Sequence, residues 1–163
     1  MTTIIQQVGD ILNFKADYIV QQCNCLTIRA HGLAQSIAKV YPDADTYAKR
    51  RQMGSRNLAI AEDRSTPGTI SIHGHVINMY AQWRPGSCKT AYFSVYPEYS
   101  AEPESALTRE IWFQKCLDAI ADKFSGSISI AFPFQIGCGL GGGEWSRYEK
   151  MISAFAEANP RFK

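Results

Sequence analysis

Several features that would assign a chain to a common functional class are missing here. No apolar run approaches the length of a bilayer span, so no membrane partner is expected. No Gly-Lys-Ser or Gly-Lys-Thr occurs, which excludes a P-loop. Neither sign of charge dominates: 17 Lys and Arg against 15 Asp and Glu leave a formal net charge of +2, too small an excess to make nucleic-acid binding the main task. The basic residues that do cluster, Lys49, Arg50 and Arg51, read as the solvated end of a helix, where cations are favoured. The five cysteines, at 23, 25, 88, 116 and 138, form no C-x-x-C, and with only three histidines they complete no familiar zinc spacing, so neither a metal nor a cofactor is expected. His73-Gly74-His75 reads as a tight hairpin turn flanked by two imidazoles rather than as a chelate. An odd cysteine count without a secretory leader gives the expectation of a reducing, cytoplasmic compartment. There are no repeats and no low-complexity segment.

What is present fits one globular domain over residues 1–163, with 45% hydrophobic and 20% charged residues. Ile4, Ile5 and Val8 read as the start of a first strand, closed by the turn Gly9-Asp10. A second strand is read at 18–22, a short one at 58–60, and two more at 69–72 and 75–82. A helix from about Gly32, with Leu33, Ile37 and Tyr41 as its apolar face, stops at Pro42. Asp43 is read as capping a short second helix that runs through 47–51. Residues 84–107, rich in Pro, Gly, Ser and Tyr, read as a long loop of the kind that is often functional or mobile. Phe113, Cys116, Leu117, Ile120 and Phe124 share one face of a helix over 108–124. A strand at 127–132 and a last helix bearing Trp145, Tyr148, Ile152 and Phe155 complete the pattern. Trp145 and Tyr148 are expected in the core rather than against a ligand. Intermixed strands and helices predict an α/β chain with a central sheet covered on both sides, its ligand where strands end and helices begin.

The loop between that last strand and helix carries glycines at 137, 139, 141, 142 and 143. Glycines let backbone N–H groups turn toward one point, and the following helix start adds partial positive charge. That combination suits a phosphate held without Lys or Arg. Three consecutive glycines exceed what a simple turn requires. Gly137-x-Gly139-x-x-Gly142 matches the dinucleotide-binding fingerprint, but that motif needs a βαβ unit, and only one helix follows. A nicotinamide-dependent oxidoreductase is therefore disfavoured.

Three segments together resemble the macrodomain family: Gly9-Asp10-Ile11-Leu12, the stretch 22–34 containing Cys23-Asn24-Cys25 and His31-Gly32-Leu33-Ala34, and Ile136-Gly-Cys-Gly-Leu-Gly-Gly-Gly-Glu-Trp145. Their order and spacing match over nearly the whole chain. The resemblance implies a three-layer α/β/α macrodomain-like fold with a central mixed sheet of about six strands, and a cleft for ADP-ribose or a derivative; ADP-ribosylated macromolecules are a further class of partner. It implies that Asp10 accepts a hydrogen bond from the adenine amino group, with the Ile11 backbone nearby. Gly137, Cys138, Gly139, Leu140, Gly141, Gly142 and Gly143 would wrap the diphosphate. Cys23 and Asn24 would line the cleft, with the Asn24 side chain on the distal ribose, and Gly32 and Leu33 would present a helix start. A strand-end Asn bonding its own backbone is the plainer reading of Asn24.

Thr27 and Ala30 stand where several macrodomains have glycine. One branch with a similar Gly-Cys-Gly-Leu segment removes ADP-ribose from carboxylates using a Lys and an Asp. Gln82 and Gly141 occupy those positions here, and neither can form a Schiff base or act as a base. Cys-Asn-Cys, His-Gly-Leu-Ala, Tyr41-Pro42 and Gly-Gly-Glu-Trp bring the chain nearer to the branch with ADP-ribose-1″-phosphate phosphatase activity. That implies metal-independent hydrolysis at the distal ribose, with Asn24 orienting the sugar, His31 as general acid or base and Gln82 positioning water or ribose. Glu144 is an alternative base, and the thiols of Cys25 and Cys138 are alternative nucleophiles. A binding module that recognises ADP-ribose without turnover is the competing reading.

Overall fold

The computed structural model describes residues 4–89 and 95–163. Strand β1 (Tyr18–Asn24) leads to helix α1 (Leu33–Val40). Strands β2 (Ile70–His73) and β3 (Val76–Gln82) form a hairpin, with Gly74 between them at φ 57°. Helix α2 (Ala106–Lys123), the short strand β4 (Ile130–Ala131) and helix α3 (Trp145–Ala158) complete the chain. The sheet order is β2-β3-β1-β4; β2 and β3 are antiparallel, while β1 runs parallel to both β3 and β4.

Alternation along β1 and β3 sorts the core into two layers. Ile19 and Val76, paired in register, pack with Ile37 of α1 and Ala44. Their neighbours Val20 and Ile77 face the other way, into a larger core with Phe113, Leu117 and Ile120 of α2 and Tyr148, Ile152 and Phe155 of α3. Helices thus cover both faces of a mixed sheet, as the three-layer expectation required. The parallel strands β1 and β3 are largely buried on both faces, β3 completely, and the polar residues they bury pair with each other, Gln21 donating to Asn78 Oδ1 and Gln22 to Gln82 Oε1.

Four strands form among the described residues, not six. Ile4, Ile5 and Val8 lie in an exposed segment without regular structure that pairs with no strand of the sheet. The 58–60 strand reduces to a single bridge between Gln52 and Ala59. The helix expected over 47–51 is a set of turns after a 3-10 turn at Pro42–Ala44. Part of the 84–107 loop, 90–94, lies outside the described residues.

The basic cluster is corrected too. Arg51 is exposed and pairs with Asp63, but Arg50 is only 7% exposed. Its guanidinium donates to the carbonyls of Asn24 and Thr27 and to the Ser65 hydroxyl, each at 2.8 Å, and lies 5.0 Å from the Tyr47 ring centroid. A buried cation whose donors meet carbonyls acts as a brace, here for the loop that follows β1.

Candidate functional site

The loops after β1, β3 and β4 gather at one end of the sheet, the carboxyl ends of the parallel strands. Leu140 of the glycine loop lies against the start of α1, so that a Cβ added at Gly32 would meet Leu140 Cδ1 at 3.6 Å. Gly32 itself sits at φ 58°, ψ −129°, a conformation that L side chains rarely adopt. Neither α1 nor α3 has a side-chain N-cap bond, whereas Ser105 caps α2 by accepting from the Thr108 amide. The two uncapped helix starts therefore leave first-turn amides for solvent or a ligand.

The glycine loop divides into an internally bonded part and an open part. The amides of Cys138, Gly142 and Gly143 donate to the carbonyls of Gln135, Gly139 and Gly137. Those of Gly139, Leu140 and Gly141 have no hydrogen-bond partner among the described residues, and Gly139 and Leu140 are exposed. Three successive free donors on an exposed loop can meet an anion without reorganising side chains.

Most of the glycines are also explained by packing, which corrects the inference drawn from their number. A Cβ at Gly141 or Gly143 would lie 2.8 Å from the Gly137 carbonyl oxygen, and one at Gly142 would lie 2.5 Å from Ser87 Oγ. Gly137, at φ 76°, faces Gln22 Oε1 and the Tyr148 ring. A Cβ at Gly139, by contrast, meets nothing within 4 Å. Close approach demands glycine at four positions; Gly139 alone is free of that demand.

Sequence reasoning missed what fixes this loop. Arg109 on α2 is 2% exposed and pairs with Glu104 at 2.7 Å. It also donates to the carbonyls of Arg84 (3.0 Å), Gly86 (2.7 Å) and Gly141 (3.0 Å). Glu104 accepts the backbone amides of Trp83 and Arg84. One buried ion pair thus ties the end of β3 to the glycine loop. Its only sequence signal is an Arg at a position of α2 that falls among buried neighbours.

The predicted catalytic side chains are differently placed from one another. Asn24 is 8% exposed, and its Oδ1 accepts from the amides of Leu26 and Thr27, both at 2.9 Å, while Nδ2 donates to Thr27 Oγ1 at 3.0 Å. The plainer reading of this residue is thus the geometry found: Asn24 shapes its own loop. Gln82 is equally buried; its Oε1 accepts from Gln22 Nε2 (2.8 Å) and its Nε2 donates to the Arg84 carbonyl (3.0 Å). His31 is exposed, directly before Gly32. Glu144 is the exposed N-cap residue of α3, and its carboxylate accepts from Ser146 Oγ.

Asp10 is exposed and caps a 3-10 turn at Ile11–Asn13 by accepting from the Leu12 amide at 3.0 Å, leaving acceptor capacity on the carboxylate. Ile11 packs beside Ile19, Ile37 and Val76. Leu33 begins α1 and is exposed. Cys23 is fully buried and its thiol is pushed up to about 12 by burial, so only its backbone is available to a cleft. Burial also pushes the Cys25 thiol up, and that of Cys138 up to about 11. Both thiols are neutral near pH 7, which argues against either as an activated nucleophile. Tyr148 is in the core against Phe113, ring centroids 4.8 Å apart, and Trp145 is half-buried beneath the exposed Phe134. Among the described residues no group of three or more His, Cys, Asp or Glu gathers where a metal could sit, and no helix is long and apolar enough to cross a membrane.

No protein-family model and no curated protein matches the sequence. Solved structures do match by shape. The macrodomain of Mycobacterium tuberculosis DarG is 21% identical and superposes with a TM-score of 0.63, covering 100% of this chain and 95% of that one. A protein of unknown function from Bacteroides thetaiotaomicron is 18% identical, with a TM-score of 0.53 over 91% of this chain and 87% of its own. The alphavirus P23pro-zbd structure is 17% identical, with a TM-score of 0.50, and matches 93% of this chain but 19% of its own length. These identities speak for architecture: the chain has the macrodomain fold.

Proposed function

We propose that this chain binds ADP-ribose, with the diphosphate on the amides of Gly139, Leu140 and Gly141, and that it hydrolyses a phosphate or ADP-ribosyl bond at the distal ribose. The observation that carries the binding reading is the run of unpartnered amides on an exposed loop lying against the uncapped start of α1. The DarG macrodomain likeness adds to it. Asp10 keeps acceptor capacity for the adenine amino group, and the distal ribose then falls toward Gly32 and His31.

For hydrolysis, His31 is the group that fits: it is exposed, next to Gly32, and its two ring nitrogens can accept and donate a hydrogen bond to a reacting water or leaving oxygen. It would take the proton of an attacking water or protonate the leaving oxygen, in the manner of the ADP-ribose-1″-phosphate phosphatase branch. Asn24 and Gln82 act in this proposal as positioning residues, because their amides already hold the flanking loops. That same engagement favours the second reading, a module that binds ADP-ribose or ADP-ribosylated macromolecules without turnover. A reducing compartment belongs to the proposal as well, resting on the odd number of cysteines and five free thiols.

Calorimetry with ADP-ribose tests the binding reading, and absence of heat at protein concentrations well above micromolar sinks it. Phosphate release from ADP-ribose-1″-phosphate separates enzyme from reader. His31→Ala is expected to slow that release far more than it weakens ADP-ribose binding. Equal losses of both would reduce His31 to a pocket-shaping residue.

A further inference from the structure

Strand β2 lies at the edge of the sheet opposite β4, away from the glycine loop, and none of the roles above uses its polar side chains. Ser71 and His73 are two residues apart on it, so their side chains share one face. It is the face of Val76 and Asn78, with which His73 and Ser71 pair across the hairpin. Ser71 Oγ lies 3.0 Å from His73 Nε2 and 2.9 Å from the Tyr80 hydroxyl, and that hydroxyl donates to Thr46 Oγ1 at 2.8 Å. Ser71 and His73 are half-buried, whereas Tyr80 is buried. The Tyr80 proton is engaged by Thr46, so Tyr80 accepts rather than donates toward Ser71. Burial first, then Lys49, holds the His73 imidazole below its ordinary value, and Asp43 opposes them more weakly. The ring is therefore neutral at pH 7, and Nδ1, which has no hydrogen-bond partner among the described residues, can carry its single proton. In that tautomer both neighbours of Ser71 Oγ are acceptors. The hydroxyl proton points to Nε2, and the lone pairs of the oxygen stay free.

We propose that Ser71 and His73 form a second reactive site, a nucleophile with its base, which takes the acyl group of small carboxylic esters. A hydroxyl and an imidazole nitrogen within hydrogen-bond reach are the arrangement by which a serine is activated. As Ser71 Oγ forms its bond to the acyl carbon, its proton passes to Nε2. The bond from that carbon to the leaving oxygen then breaks, and the leaving oxygen takes the proton back from Nε2. Water, deprotonated by the same nitrogen, releases the acid and restores the serine. Hydroxyls alone would satisfy a network that only ties β2 to Thr46; the imidazole adds a base to it. Half-burial beside Tyr80 leaves the serine oxygen within reach of a small acyl group. The site is independent of the ADP-ribose reading, since it lies at the other edge of the sheet.

The test treats the full chain with p-nitrophenyl acetate at pH 7, follows nitrophenolate release, and maps the acetyl group by mass spectrometry of the digested protein. Acetyl is expected on the peptide that carries Ser71, at Ser71 itself. His73→Gln keeps a hydrogen-bonding side chain beside the serine but has no base, so its acetylation at Ser71 should slow by about 100-fold or more. Ser71→Ala should lose the adduct at that peptide while melting close to the parent. Acetyl found only on lysines or cysteines of the parent overturns the proposal whether or not either variant folds. A folded His73→Gln chain acetylated at Ser71 as fast as the parent overturns the pairing of nucleophile and base.

Discussion

Gly139 offers a sharp test of the amide cradle, because it is the loop glycine whose replacement leaves the packing undisturbed. A Cβ there meets nothing within 4 Å, and its φ lies outside the left-handed region. Gly139→Ala should therefore fold normally and bind ADP-ribose within about threefold of the parent. Gly139→Asp should fold as well, since the new side chain enters open space, but its carboxylate sits next to the free amides of Leu140 and Gly141. It competes for them as an internal anion, and it repels the diphosphate. Hydrogen bonds to a charged group contribute about 1.5–3 kcal/mol each. Like charges roughly 5 Å apart add about 1–3 kcal/mol at the effective dielectric of a protein surface. Losing one such bond and adding the repulsion gives about 2.5–6 kcal/mol, or a loss of at least about 60-fold in affinity. Calorimetry with ADP-ribose, beside a thermal melt of each variant, reads the outcome. An Asp variant that melts like the parent and binds ADP-ribose equally well would falsify the placement of the diphosphate on these amides. Gly141→Val is a poorer probe: its Cβ lies 2.8 Å from the Gly137 carbonyl, so lost binding would report a displaced loop as readily as a lost contact.

Three further outcomes follow from the supports of the site. Arg109→Met leaves Glu104 buried without its partner, which should lower stability by about 3–5 kcal/mol, or about 10 °C in melting temperature for a chain of this size; an unchanged melt contradicts the anchoring role. Asn24→Ala should destabilise by about 1–3 kcal/mol, because the amides of Leu26 and Thr27 lose their acceptor, whereas Asn24→Asp keeps that acceptor and should retain ADP-ribose affinity; if Asp loses as much binding as Ala, the Nδ2 group reads the ribose directly. Burial raises the Cys23 and Cys116 thiols from 9.0 to about 12, so the folded state holds protons that the unfolded state releases. Stability from this source is complete below the ordinary thiol value of 9.0 and is lost as pH climbs toward about 12, and a melting temperature that stays level over that window counts against it.

The sheet core was legible because its signals are short-range. β1 opens on Tyr18-Ile19-Val20 and β3 on Val76-Ile77, each following a turn, Gly74 marks the hairpin, and α2 shows its buried face at helical spacing. The missing strands failed for a physical reason. Ile4, Ile5 and Val8 carry β-prone side chains, but pairing is decided by whether an edge is offered, and this segment stays exposed. The Lys49-Arg50-Arg51 run misled because charge in sequence says nothing about which guanidinium finds carbonyls: Arg50 turns inward to brace the loop after β1, and Arg51 turns outward to Asp63.

At the site, the split between backbone and side chain explains what sequence could and could not tell. A glycine-rich loop between a strand and a helix announces that main-chain donors are near the surface, and three of them are indeed unpartnered. It does not announce which glycines serve packing, because that depends on what crosses the loop: Tyr148 from α3, Ser87 from the loop after β3, and the carbonyl of Gly137 itself. A polar side chain at a strand end is more ambiguous still. Asn24 and Gln82 have the chemistry to orient a sugar or a water, yet each of their amides is held by neighbours within hydrogen-bond distance. Binding by backbone survives that finding, since it needs only donors that nothing else occupies. Catalysis by side chain does not survive it equally well, since it needs a group free to change its hydrogen bonds during reaction, and among the three predicted catalytic residues only the exposed His31 has that freedom. The chemistry of the proposal therefore reduces to one imidazole, and replacing it while measuring binding and phosphate release side by side decides between enzyme and reader.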